Sequence, residues 1–247
     1  MTVVLVHGVP ETAAVWDPLR RELRGAEVEA LALPGFGVPR PAAFGATKEE
    51  YVDWLVGELT RIGGNGPVDL VGHDWGGGFV VRLVSTRPDL VRSWVTDAAA
   101  VGDTDFEWHE FAKIWQTPGA GEEFFAQQLA IGPEERGAVF ESFGVPPDRA
   151  RDLGSWGDEE MAEVILALYR SAVHVGREWG PDFRDVPAPG LVVVPSEDPF
   201  LSDAGARAAA GAAGATVADL PGLGHWWMLQ DPAGGAAVLE EFWASIA

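Results

Sequence analysis

The chain has 247 residues, 47% of them hydrophobic, which fits one globular domain carrying an insertion and argues against a disordered chain. Acidic residues outnumber basic ones 38 to 17, and the resulting net charge of −21 repels phosphate backbones and anionic lipid, so neither nucleic acid nor a membrane is an expected partner. Cysteine is absent, which removes disulfides, thiolate metal sites and a cysteine nucleophile.

Met1 leads directly into Thr2-Val-Val-Leu-Val with no charged leader, and a cytoplasmic location is expected. The longest apolar run, near 191–194, is far too short to span a bilayer. In chain order, strands are predicted at 2–6, 28–33, 68–71, 93–96, 191–194 and 216–220. Several are continuous apolar runs, as strands covered on both faces should be. Between the second and third, Thr47 and Glu50 form a capping box, and Tyr51, Leu55, Leu59 and Ile62 recur at helical spacing. The glycines at 63–67 end that helix. Strand and helix then alternate, the pattern of a parallel α/β sheet. The rhythm stops between 102 and 185, where only helices are predicted, at 106–115, 122–130 and 159–175. The expected division is a core of 1–101 and 186–247 with a helical cap of 102–185. An Ala- and Gly-rich segment at 204–215 reads as a surface helix.

The segment Val68-Asp-Leu-Val-Gly-His-Asp-Trp-Gly-Gly-Gly78 carries the chemistry. An apolar strand turns sharply into a helix, with small residues flanking Asp74. Such a turn lifts the central side chain out of the packing and sets it beside a helix N-terminus, which favours an anion. An aspartate there needs no base to become a nucleophile, since its ordinary pKa is about 3.9. The plainer alternative is an aspartate that only caps the following helix. Three further features favour catalysis. His7-Gly-Val-Pro10 follows the first strand and offers the Val9 N–H, which with the Trp75 N–H makes an oxyanion hole. Asp198, in Ser196-Glu-Asp-Pro199, follows the penultimate strand. His225, in Gly222-Leu-Gly-His-Trp226, follows the last. The order nucleophile, acid, histidine is that of an α/β-hydrolase.

On these motifs, together with Gly35-Phe-Gly37, the chain resembles the α/β-hydrolase fold superfamily, in its aspartate-nucleophile branch of epoxide hydrolases and haloalkane dehalogenases. The resemblance implies an α/β fold: a mostly parallel central sheet flanked by helices, with an inserted helical cap. It implies a triad of Asp74, His225 and Asp198, with Asp97 as an alternative acid, and an oxyanion hole of Val9 and Trp75. Members often carry an antiparallel hairpin ahead of the His-Gly strand, and this chain opens at that strand. Tyr169 resembles the second lid tyrosine that donates a proton to an epoxide oxygen. The first lid tyrosine is missing; its place falls near Ile114, Trp115 and Gln116. Ile114, Trp115, Trp226 and Pro10 are expected to line the substrate pocket.

An epoxide leaves as an alkoxide and needs a proton donor, whereas a halide needs only N–H donors. Tyr169 favours the epoxide; Trp75 and Trp115 would serve the halide. The place of an Arg that fluoroacetate dehalogenases carry after the nucleophile is taken by Trp75, and an acidic, Trp- and Phe-rich chain suits a neutral, apolar small molecule. The expected activity is therefore hydrolysis of an epoxide to a diol, with haloalkane dehalogenation the alternative. A non-catalytic binder on the same fold is a remote third. No cofactor is called for. The acidic cluster of Asp103, Asp105, Glu107, His109 and Glu110 lacks the central Gly of a calcium loop and reads as a solvated helix start, so no metal is expected. His73 and His174 show no partner in the sequence. The expected partners are substrate, water and, at most, a second copy of the chain.

Overall fold

A computed structural model describes residues 2–64 and 66–247. Six strands form one sheet: β1 Thr2–Val6, β2 Glu27–Leu31, β3 Val68–Gly72, β4 Val91–Thr96, β5 Gly190–Pro195 and β6 Thr216–Leu220. Their order is β2-β1-β3-β4-β5-β6 and every pairing is parallel. The second strand ends at Leu31 rather than Leu33. Leu33 instead donates its N–H to Nε2 of His7, which ties the chain after β2 to the loop after β1.

The unbroken apolar runs have a direct cause, because both sheet faces are covered. Val4, Val6, Leu70, Val192 and Val194 point into one layer, while Val3, Leu5, Val71, Val95, Leu191 and Val193 point into the other. Side chains alternate across a strand, so a segment buried on both sides shows no polar phase. Helices α2 Lys48–Ile62 and α3 Trp75–Thr86 cover the first layer, and α1 Asp17–Glu22 packs in the second through Leu19. The capping box at Thr47 and Glu50 is present, and Gly63 closes α2 with its N–H on the Leu59 carbonyl. Asn65, within the predicted stop, lies outside the described residues.

Between β4 and β5 the chain is helical: α4 Glu110–Gln116, α5 Ala120–Ala130, α6 Pro133–Ser142, α7 Pro147–Trp156, α8 Glu159–Ser171 and α9 Val175–Trp179. After β5 follow α10 Asp203–Ala213, then α11 Trp227–Gln230 and α12 Pro232–Ser245. Lys48 anchors the inserted helices to α2. Its buried Nζ donates to the Ser171 carbonyl at 2.9 Å and pairs with Glu178 at 2.8 Å, while its N–H meets Ser171 Oγ. Among the described residues no helix is long and apolar enough to cross a membrane.

Candidate active site

Four loops at the carboxyl ends of the parallel strands converge, as binding sites on such sheets do. The turn after β3 is the tightest. Asp74 stands at φ 49°, ψ −118°, a region a non-glycine residue enters only when its surroundings force it. The glycines beside it are sterically required. A Cβ on Gly72 would strike the Gly76 carbonyl, and one on Gly76 would strike the Val6 carbonyl of the neighbouring strand. The strained residue is held from two sides: its N–H donates to Asp97 Oδ1 at 2.9 Å, and its carbonyl accepts the Gly78 N–H at 2.9 Å.

Asp74 does not cap α3, since its side chain makes no capping hydrogen bond there. Its Oδ1 accepts the Val9 N–H at 2.8 Å instead. The Trp75 N–H also faces the carboxylate closely enough to favour its ionised form. Oδ2 remains free and lies 3.9 Å from Nε2 of His225, too far for a hydrogen bond. Nδ1 of that histidine donates to Asp198 Oδ2 at 2.8 Å, and the other Asp198 oxygen accepts the Phe200 N–H at 2.8 Å.

Burial sets the charges. It raises Asp74 to about 6, against the opposing pull of His225 and His73. The ready anion expected from an ordinary carboxylate is thus moderated: Asp74 is mostly ionised at neutral pH and protonated in mild acid. Burial disfavours a charged His225, but Asp198 outweighs it and the pKa rises. Asp198 itself falls below its usual range, because His225 overcomes the cost of burial.

Beneath the turn lies a buried chain of charges that the sequence did not reveal. Nδ1 of His73 meets Asp97 Oδ2 at 2.6 Å and Nε2 meets Glu11 Oε1 at 3.1 Å. Both nitrogens face carboxylates, so both carry hydrogen and the ring is an imidazolium. Burial opposes that charge, yet Asp97 and Glu11 raise His73 well above its usual value. In return His73 overcomes the burial of Glu11 and holds it at about 2. Glu11 also accepts the Gly8 N–H and the Trp226 indole N–H; Asp97 accepts the Trp227 indole N–H at 2.8 Å. Asp97 is therefore committed to His73 and to the Asp74 amide. Asp198, not Asp97, partners His225. His7 completes the support: Nδ1 donates to the Gly8 carbonyl at 2.8 Å, Nε2 accepts from Leu33, and burial lowers it to about 4, leaving it neutral.

Above the turn, a cavity of about 1020 Å³, its open mouth included, is lined by Asp74, His225, Val9, Pro10, Trp226, Trp115 and Tyr169 among others. The Tyr169 ring packs at 4.8 Å from Trp115, 5.2 Å from Trp108 and 5.4 Å from Trp75. Burial, reinforced by the Asp74 charge, raises its hydroxyl well above 10, so the phenol is protonated. The indole N–H of Trp75 lies near enough to that hydroxyl to ease the shift, though it makes no hydrogen bond of full geometry. The Trp115 indole N–H is likewise buried without an acceptor.

Residues 3–238 match the model of the alpha/beta hydrolase family. The chain belongs to that family. A substituted-succinate hydrolase of Acinetobacter baylyi, (E)-2-((N-methylformamido)methylene)succinate hydrolase, is 35% identical over 91 residues, 36% of this chain and 34% of that protein. The matched part thus spans about a third of that relative's length. Among solved structures, the chain is similar to an epoxide hydrolase of Vigna radiata, with TM-score 0.78 and 18% identity over 99% of this chain and 91% of that one. It is similar too to a haloalkane dehalogenase of Bradyrhizobium elkani, with TM-score 0.74 and 19% identity over 99% and 91%. At such identities these likenesses are of fold.

One expectation needs correction. Ile114 lies on the outer side of α4, 37% exposed, and does not line the cavity; Trp115, the next residue, turns inward. Successive residues on a helix are a hundred degrees apart, so both could not face the same space. His73, without a partner in the sequence, is the centre of the buried chain. Glu11 was missed altogether. The only signal was its place one residue after Pro10, in the same loop as Val9. Ligand atoms of Glu11, His73 and His225 lie within 4.8 Å of one another. Glu11 and His73 are close because they are hydrogen-bonded, and the His225 ring packs 4.5 Å from that of His73; an imidazolium clasped by two carboxylates has no lone pair for a metal.

Proposed function

We propose that this hydrolase opens an epoxide of a neutral, largely apolar small molecule to a diol through an ester on Asp74. The reading is carried by one observation: a protonated tyrosine, Tyr169, lines the same cavity as an elbow carboxylate whose Oδ2 is free. Oδ2 attacks a ring carbon, the ring C–O bond breaks, and the leaving oxygen takes the proton of Tyr169. Esterification removes the negative charge of Asp74. Because that charge helps to raise the Tyr169 pKa, the phenol becomes more acidic as the ring opens.

In the second step a water fits between Nε2 of His225 and the ester. His225 takes one of its protons while its oxygen attacks Cγ of Asp74. Oδ1 already occupies the hole at the Val9 N–H, where the developing oxyanion needs its donor. Asp198 orients the ring and stabilises the imidazolium that forms. Collapse breaks the Cγ–Oδ2 ester bond, the departing alkoxide takes the second proton of the attacking water, and a diol leaves; the proton on His225 passes through water to the Tyr169 phenolate, which restores both groups. The sum is epoxide plus water.

A carbonyl substrate, of the kind named for the Acinetobacter relative, is disfavoured, because carboxylate attack on it would give a mixed anhydride rather than a stable ester. A second reading has its own support. The indole N–H groups of Trp75 and Trp115 are buried without acceptors, and both rings pack on Tyr169, an arrangement able to hold a departing halide. Tyr169→Phe separates the two. The epoxide reading predicts that the wild type turns over a terminal epoxide and that the variant loses at least about a hundredfold on it, the usual worth of a positioned acid, while any bromoalkane turnover is spared. Bromide release without epoxide turnover, indifferent to Tyr169→Phe, would establish the halide reading instead.

A further inference from the structure

One polar side chain on the cavity wall has no part in these steps. His109 is the N-terminal cap of α4, and its Nδ1 accepts the Ala112 N–H at 3.2 Å. A nitrogen that accepts carries no hydrogen, so the neutral ring holds its proton on Nε2. Burial lowers its pKa to about 4, and the ring is neutral under ordinary conditions. Cap and burial together therefore fix a single tautomer.

Among the described residues, that Nε2–H has no protein acceptor; the cap bond is the ring's one hydrogen bond. The ring lines the cavity and sits in an aromatic collar: Phe200 at 5.4 Å, Trp115 at 6.3 Å and Phe111 at 6.4 Å. None of these offers an oxygen. The other charged groups on the wall outside the catalytic set are already engaged. Arg136 donates to the carbonyls of Gly154, Gln128 and Ile131, and Asp158 caps α8 at the Met161 N–H. His109 is also separate from the proton donor. Trp108 and Trp115 each touch both rings, so His109 stands one aromatic ring away from Tyr169. A donor so placed reaches the substrate's substituent rather than its reacting oxygen.

We infer that His109 is a specificity-determining residue whose Nε2–H binds an acceptor oxygen on the substrate's side arm, so that the preferred substrates are oxygen-bearing epoxides such as glycidyl ethers rather than plain hydrocarbon epoxides. A pocket built to hydrogen-bond one group discriminates against an analogue that lacks it, because its own donor is then left unpaired. The inference rests on the epoxide reading for its substrate class, but not for the donor itself.

The test compares the wild type with His109→Asp, whose carboxylate can still cap α4 and has no N–H to donate; His109→Ser, a cap whose short hydroxyl is held at the helix end, replaces it should Asp fail to fold. Two epoxides of equal length are assayed, a glycidyl ether and a 1,2-epoxyalkane. Separately, binding of 2-octanone, which offers a carbonyl and no ring to open, is followed by tryptophan fluorescence. The ether-to-hydrocarbon ratio of kcat/KM should fall about five- to tenfold in the variant, and the ketone Kd should rise by a similar factor, the worth of one neutral hydrogen bond. An unchanged ratio with an unchanged ketone Kd overturns the inference. Should the wild type open neither epoxide, the epoxide reading fails, and the ketone arm alone still decides whether His109 is the donor.

Discussion

Asp74 is placed under strain twice, in its backbone and in its charge. The backbone is in a left-handed conformation, and the carboxyl is raised to about 6 by burial. Both cost stability, and both suit the proposed reaction, since a poorly solvated carboxylate is a better nucleophile than one in water. The charge has a measurable sign. An acid whose folded pKa is raised destabilises the fold wherever it must ionise, so the penalty is absent below about 4, grows between 4 and 6, and is complete above 6. Asp74→Asn should therefore abolish turnover yet raise stability by up to an order of 3 kcal/mol at pH 8. Denaturant titrations at pH 8 and pH 4.5 check this; a gain equal at both would exclude a titrating Asp74. Glu11 and His73 run the other way. Glu11, held at about 2, adds stability that is present above its ordinary 4.5 and is lost as pH falls through 2. His73 adds stability that is fully present below 6.5 and is lost only as pH rises through its elevated folded value. Asp74, Asp198 and His225 were legible because each lies in a short turn just after a predicted strand, in the chain order of the family. Glu11, His73 and Asp97 were not read as a unit: three loops bring them together, and nothing local to any of them signals a buried cation.

Element by element, legibility follows how each one packs. Helix α2 has a capping box and a regular apolar stripe, and it forms where those signals place it. Strands β1 and β5 are equally plain, because burial on both faces writes an uninterrupted apolar run. Helices α6 and α7 escaped notice for a physical reason. They meet through Gly137 and Gly154 rather than through large apolar side chains, so no stripe at helical spacing marks either of them. A Cβ on Gly154 would come within 2.5 Å of the Gly137 nitrogen and collide with the Pro133 carbonyl. Gly154→Ala should consequently cost about 1–3 kcal/mol, although alanine favours a helix more than glycine does. Thermal unfolding of the variant measures it. A variant as stable as the wild type would mean that the two helices can move apart freely.

For the molecule as a whole, the sheet order brings Val9, Asp74, Asp198 and His225 from four separate strand ends into one place, and the helices between β4 and β5 add Trp115, Tyr169 and His109 from above. The lower half of the site rests on a rigid, fully paired scaffold of buried charges; the upper half is aromatic and leaves three N–H groups without partners, on Trp75, Trp115 and His109. What unites the account is the covalent ester. A single turnover with enzyme in excess, run in oxygen-18 water, tests it most directly. The account predicts a first diol whose new oxygen is unlabelled, having come from Asp74 Oδ2, and one labelled oxygen in the peptide that contains Asp74. Label in that first diol, with none in the protein, would show that water attacks the substrate itself and that Asp74 never bonds to it.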